Sequence, residues 1–194
     1  IGREVMKRAL SYDMKVIGHD PFVNQDMFDA EKIKIVDIDE LTSNSDFITL
    51  HVPLIDSTRD LFNLARLKMM KPTSRIINVA RGGIINEKDL SIALNDDVIA
   101  GAAIDVFVKE PIEKNHPFLS TKNLLITPHL GASTIEAKEG VSKGICQQVK
   151  DFLLDQKLSN VLNIPIADMS ILKQIEPYLE MSEKLGITLS QLIN

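Results

Sequence analysis

The chain lacks most of the features that would place it in several large functional classes. It has a single cysteine, Cys146, so no internal disulfide can form, and this usage suits a reducing cytoplasm. Cys146 falls within a helical pattern and reads as a helix-face residue, not a catalytic thiol. No apolar run approaches the roughly 20 residues of a membrane-spanning helix, and no leader pattern is visible. Basic residues are outnumbered, 22 to 27, and the two signs are interspersed along a chain of net charge −5. That leaves no polybasic footprint for nucleic acid or an anionic membrane. The four histidines (His19, His51, His116, His129) show no metal-ligand spacing, so no metal site is expected.

What the chain does have is a normal apolar content of 44% over 194 residues, gathered into short runs with a common ending. Lys15–His19 stops at Asp20-Pro21, and Asp46–Leu50 stops at His51-Val52-Pro53. Arg75–Val79 stops at Ala80-Arg81-Gly82-Gly83, Val98–Ile104 at Asp105, and Asn123–Thr127 at Pro128-His129. Near-continuous apolar runs are expected of strands buried on both faces of a parallel sheet. With helical patterns between them, they predict an α/β fold over 1–129, a doubly wound parallel sheet of the Rossmann type. In such sheets ligands bind beyond the carboxyl ends of the strands, where the polar, Pro and Gly residues collect here.

Among those ends, Arg81 offers a planar fork able to grip a carboxylate in two parallel hydrogen bonds. The two glycines after it let backbone come close to a bound molecule. An ordinary strand exit with a surface arginine is the competing reading. His129 suits proton transfer near neutral pH. Glu110 sits on the long loop 106–122 just before the His129 strand, within reach of the other ring nitrogen, though a solvated loop acid would look the same. Asp105, in an apolar run, needs a partner, because an unpaired buried carboxylate is costly. His51 reads either as a site residue or as a capped strand end; His19 and His116 read as structural or exposed. The chain opens inside a helix at Gly2, which could be the last glycine of a G-x-G-x-x-G loop whose strand precedes residue 1. Asp20, 18 residues further on, then suits a ribose hydroxyl pair and would repel a 2′-phosphate, favouring NAD over NADP.

Further elements are expected around this frame: a strand at Ile35-Val36, a helix from Asp39 to Asn44, and a helical stretch from Ser57 to Met70. Asn86 should cap a helix reaching about Leu94. Ser133-Thr134-Ile135-Glu136 reads as a capping box for a long helix with Val141, Ile145, Val149 and Phe152 on one face, ending near Asp155. Asn160–Ile166 reads as a linker or short strand, and Ile171–Asn194 as helix broken at Pro177 and Gly186. Both ends look cut, as in a fragment.

Taken together, Gly2 with Asp20, His51–Leu54, Asn78–Gly83, Asp105-Val106-Phe107 with Glu110-Pro111, and Thr127–Thr134 resemble the D-2-hydroxyacid dehydrogenase family over residues 1 to about 160. The tail, Asn160–Pro165 with Ile175–Leu179 and Glu183–Gly186, is similar to the start of an extra domain in long members of that family. The resemblance implies an NAD-dependent dehydrogenase acting on a small, phosphorylated 2-hydroxy acid. His129 would take the hydroxyl proton, Glu110 would support His129, and Arg81 would bind the substrate carboxylate. Ile1, Gly2, Asp20, Val52, Pro53, Val79, Ala80, Arg81, Asp105, His129, Leu130, Gly131 and Ala132 would line the cofactor. It further implies an NAD-binding domain over 1–132, a long helix over 133–159 returning to the substrate domain, and a linker with the start of a C-terminal domain over 160–194. A cytoplasmic homodimer or homotetramer is the implied setting. A glyoxylate/hydroxypyruvate reductase-like enzyme and a non-catalytic NAD-sensing protein remain open as alternatives.

Overall fold

The computed structural model describes residues 1–29, 32–155, 157–161 and 169–192. The chain divides into two compact units, Ile1–Ser133 and Thr134–Asn194. In the first, helix α1 (Gly2–Ser11) leads into strand β1 (Val16–Gly18), which pairs in parallel with β2 (Ile33–Ile35). Helix α2 (Ile38–Asn44) follows, started by the Asp37 carboxylate, which accepts from the Asp39 and Glu40 amides. Strands β3 (Phe47–Leu50), β4 (Arg75–Asn78), β5 (Gly101–Ile104) and β6 (Leu124–Ile126) then form a second sheet in that order, every pair parallel.

Parallel neighbours need long crossovers, and the crossovers here supply helices α3 (Leu64–Leu67) and α4 (Glu87–Asn95). Their apolar residues close over the sheet: Leu67, Leu90 and Leu94 are fully buried with Ile76 of β4 and with Phe62, Ile84 and Ile99 of the connections. Because all four strands run the same way, the residues that follow β3, β4, β5 and β6 collect at one sheet edge. Helix α4 begins as the sequence predicts, with the Asn86 side chain accepting from the Asp89 amide.

Several boundaries differ from expectation. The strand expected at Ile35-Val36 is Ile33–Ile35. Val98–Ala100 lie outside β5, although Ile99 is buried. Of the helical stretch expected from Ser57 to Met70, only α3 is helical. Phe62 instead makes a parallel bridge to Ile85, donating to the Ile84 carbonyl (3.1 Å) and accepting from the Asn86 amide (3.1 Å). Those bonds take its backbone out of any helix; Asn63 then starts α3 by accepting from the Arg66 amide.

Among the described residues the second unit holds two helices, α5 (Ile135–Asp155) and α6 (Met169–Leu192). Thr134, not Ser133, caps α5: its hydroxyl accepts from the Ala137 amide (3.1 Å), whereas the Ser133 hydroxyl donates back to the His129 carbonyl (3.3 Å). Helix α6 runs unbroken through Pro177 and Gly186. Proline removes one backbone bond and glycine costs only about 1 kcal/mol in a helix, and the strong helix formers around them carry the helix across. Most of the expected linker, residues 162–166, lies outside the described residues.

Candidate active site

Past the end of β6 the chain turns sharply through Thr127 and Pro128, and His129 adopts a left-handed backbone (φ +57°). This conformation is uncommon outside glycine, and the buried carboxylate of Asp105, directly after β5, holds it. Asp105 Oδ1 accepts from the Thr127 hydroxyl (2.5 Å) and the Leu130 amide (2.8 Å), and Oδ2 from the Gly131 amide (3.1 Å). Burial pulls the Asp105 carboxyl upward, but the bonds from Thr127, Leu130 and Gly131 outweigh it and leave its pKa below the ordinary aspartate value. The partner that this buried acid requires is therefore the turn that carries His129.

His129 Nδ1 lies 2.6 Å from Glu110 Oε2. A carboxylate only accepts, so Nδ1 donates, and in the neutral ring Nε2 keeps the lone pair. Nε2 has no hydrogen-bond partner among the described residues. The other Glu110 oxygen accepts from the Phe107 amide (2.9 Å). The bonds from His129 and then from Phe107 hold the Glu110 carboxyl below the usual glutamate range. Both side chains remain partly exposed and border a cavity of about 310 Å³ with Phe107, Ile112, Ile126 and Pro128 in its wall.

Arg81 follows β4 in a turn organised by buried Asn78, whose side chain accepts from the Ala80 amide (3.0 Å) and donates to the Arg81 carbonyl (2.9 Å). The exposed guanidinium donates to the Ala80 carbonyl and forms no ion pair among the described residues. Gly82 is required by the chain itself. A Cβ on Gly82 would lie 2.0 Å from the Phe107 carbonyl carbon and oxygen, so the close approach is to the chain's own Glu110 loop. Gly83 has φ +82°.

The remaining candidates are distributed along the same edges. Asp20, exposed after β1, accepts from the Phe22 amide through Oδ1. Gly2 packs on the His51 ring, and His51 Nε2 pairs with the Thr49 hydroxyl (3.1 Å) while burial lowers its pKa. Val52 and Ala80 pack against the core; Val79 and Leu130 are half-exposed, and Ile1, Pro53 and Ala132 are exposed. Gly131 sits against Asp105 and Val79, joining the ends of β4, β5 and β6. No hydrogen bond or ion pair among the described residues links Asp20 or Arg81 to the His129–Glu110 pair. Sequence reasoning missed Glu87, which contacts the Glu110 loop; its partner His116, read as structural or exposed, is structural and largely buried.

Asp105→Asn turns an acceptor into an amide facing the Gly131 donor or, with the amide flipped, the Leu130 donor. It is expected to cost about 1–3 kcal/mol. Because the native Asp105 and Glu110 pKa values are depressed, their stabilisation is full above the ordinary carboxyl range and is lost as pH falls from that range through the lowered folded-state values. Urea midpoints from pH 7 downward should therefore decline less steeply in Asp105→Asn than in wild type.

Residues 1–131 match the family described as "D-isomer specific 2-hydroxyacid dehydrogenase, NAD binding domain". The chain is 41% identical over 192 residues to a D-3-phosphoglycerate dehydrogenase of Synechocystis, covering 99% of this chain and 34% of that protein. It is 39% identical to the D-3-phosphoglycerate dehydrogenase of Methanocaldococcus jannaschii, covering 37% of it. The chain thus spans about a third of the length of these curated relatives. Among solved structures, an NAD-dependent formate dehydrogenase from Staphylococcus aureus in complex with NAD superposes with a TM-score of 0.72 at 32% identity, over 82% of this chain and 47% of that one. With its parallel sheet and its matched residues, the chain belongs to the D-isomer specific 2-hydroxyacid dehydrogenase family, and residues 1–131 are its NAD-binding domain.

Proposed function

We propose that the whole protein oxidises 3-phospho-D-glycerate to 3-phosphohydroxypyruvate with NAD, the first step of L-serine biosynthesis, as a cytoplasmic homodimer or homotetramer. The observation that carries the chemistry is the 2.6 Å His129–Glu110 pair at the carboxyl edge of the sheet. The substrate follows from the names of the relatives at about 40% identity. Residues 1–132 would hold the cofactor, 133–159 would return the chain to the substrate domain, and 160–194 would link to a further domain.

The residues fit NAD. Asp20 is an exposed carboxylate whose Oδ2 has no hydrogen-bond partner among the described residues, as a ribose hydroxyl pair requires. Half-exposed Val79 and Leu130 offer apolar surface at the strand ends. Ile1, Gly2, Val52, Pro53, Ala80, Arg81, His129, Gly131 and Ala132 would complete the lining, and Asp105, whose Oδ2 accepts one amide bond, would serve the nicotinamide side.

Bound NAD supplies the acceptor for the hydride that leaves substrate C2. His129 Nε2 takes the proton of the C2 hydroxyl as the C–O bond becomes double. Glu110 stabilises the resulting imidazolium and fixes Nδ1 as the donor. Arg81, free of ion pairs among the described residues, binds the substrate carboxylate and polarises the forming keto oxygen. Among the described residues the wall of the cavity beside His129 holds no Lys or Arg, and the substrate phosphate is assigned to another part of the whole protein.

The test is NAD reduction by the whole protein with 3-phosphoglycerate against glycerate, lactate and other unphosphorylated D-2-hydroxy acids. Selective turnover of the phosphorylated acid is expected. Turnover of glycerate or lactate instead would keep the mechanism and discard the substrate, and tight NAD binding with no turnover would discard both.

A further inference from the structure

Glu87 opens α4, where an acidic side chain ordinarily serves only the helix dipole. Its carboxylate instead leaves the helix for the loop that carries Glu110. Oε1 accepts from the Val108 amide (2.8 Å), and Oε2 lies 3.1 Å from His116 Nε2, 29 residues away in sequence. His116 Nδ1 accepts from the Phe118 amide (3.3 Å), so the ring proton resides on Nε2 and is donated to Glu87. The ring stands edge-on to Phe107 and Phe118, with centroids 6.2 Å and 4.8 Å away. This pair is far less exposed than the one at the site: 13% and 17% of the His116 and Glu87 side chains are accessible, against 44% and 36% for His129 and Glu110.

Two adjacent amides thus point at two carboxylates. Phe107 donates to Glu110 and Val108 to Glu87. Glu110, half-exposed, has little packing of its own to fix it. The backbone to which its Oε1 is bonded is fixed by Glu87 from α4, with His116 closing the far end of the loop. A misplacement of about 1 Å in such a group can cost roughly a hundredfold in rate. We propose that Glu87 and His116 form a clasp that positions Glu110 against His129; they are positioning residues that touch neither substrate nor cofactor. The inference rests on the catalytic reading given above for His129 and Glu110.

Its test uses the whole protein and the variants Glu87→Gln, His116→Phe, His116→Gln, Glu110→Gln and the Glu87→Gln/Glu110→Gln double. In Glu87→Gln the single amide oxygen cannot serve both Val108 and His116, so exchange of the Phe107 amide hydrogen should quicken about tenfold or more while that of Ile76, in the core strand, stays as in wild type. The value of kcat should fall about tenfold or more, and KM for NAD should hold. The double variant should be no slower than Glu110→Gln alone, because both act through one group. His116→Gln, which keeps a donor for Glu87, should retain more activity than His116→Phe. Unchanged Phe107 exchange, or losses that multiply in the double variant, would overturn the clasp. Exchange needs no turnover, so a wild-type protein inert toward every 2-hydroxy acid would sink the proposed activity while Phe107 exchange still decides the clasp. If Glu87→Gln fails to fold, His116→Phe carries the same comparison, since it keeps the ring between Phe107 and Phe118.

Discussion

His129→Ala in the whole protein is expected to lower kcat for 2-hydroxy-acid oxidation about a hundred- to ten-thousand-fold, the usual contribution of a positioned general base. The size follows from the arrangement of the ring. Nδ1 is committed to Glu110 at 2.6 Å, so Nε2 is the one nitrogen left to take a proton, and alanine leaves nothing in its place. NAD affinity should fall far less than kcat, because His129 is one of many residues assigned to the cofactor lining and the adenosine side is assigned to Asp20 and the β1 end, which no hydrogen bond or ion pair among the described residues ties to His129. Glu110→Gln should cost less, about 10- to 100-fold, the equivalent of one charge-assisted hydrogen bond. Gln still accepts from Nδ1 but cannot balance an imidazolium. Steady-state kinetics with C2-deuterated substrate make the measurement sharper. With proton removal impaired, the chemical step should limit turnover and the primary isotope effect on kcat should grow. Retained turnover in His129→Ala would remove the histidine from the mechanism.

How much of this was open to sequence reading depended on whether the governing interaction was local. Strands β3 to β6 were legible because their runs are apolar nearly throughout, as Phe47–Leu50 and Leu124–Ile126 are. These two edge strands nonetheless bury one face only and leave Phe47 and Leu125 exposed, instead of being covered on both faces as expected. The 2.6 Å contact of His129 with Glu110 was reachable because both follow neighbouring strand ends. Phe62 was misread because its partner, Ile85, lies across the fold, and nothing in Ser57–Met70 marks the bridge that overrides helical patterning. Ser133 and Thr134 are interchangeable as cap candidates by pattern, and the His129 carbonyl that takes the Ser133 hydroxyl decides between them. Glu87 looked like any acid in a first helical turn. Its bond to His116 spans 29 residues, and no periodicity encodes it. Gly82 was recognised as a place of close approach, and the group that meets it within the chain is the backbone of Phe107, which no local pattern marks.

That last contact yields the largest expected loss of stability. Gly82→Ala would place a methyl carbon 2.0 Å from the Phe107 carbonyl carbon and oxygen and 2.6 Å from the Val108 nitrogen. Overpacking usually costs about 1–3 kcal/mol because side chains rotate aside. Here the obstruction is backbone, and it is backbone pinned by the Phe107–Glu110 and Val108–Glu87 bonds. The chain on the Gly82 side is no freer, since Asn78 bonds both the Ala80 amide and the Arg81 carbonyl. One of these anchors must break, so the cost should reach about 3 kcal/mol or more, above the ordinary overpacking range. Stability and catalysis should fall together, because the loop that yields is the one holding Glu110 on His129. Gly140→Ala and Gly144→Ala are the controls. Both lie in α5 with nothing among the described residues within 4 Å of an added Cβ, and alanine there should stabilise by about 0.5–1 kcal/mol through helix propensity. Urea midpoints at unchanged slope, measured beside kcat, would register the opposite signs. A Gly82→Ala protein as stable and as active as wild type would mean that the turn after β4 and the Glu110 loop do not meet as described.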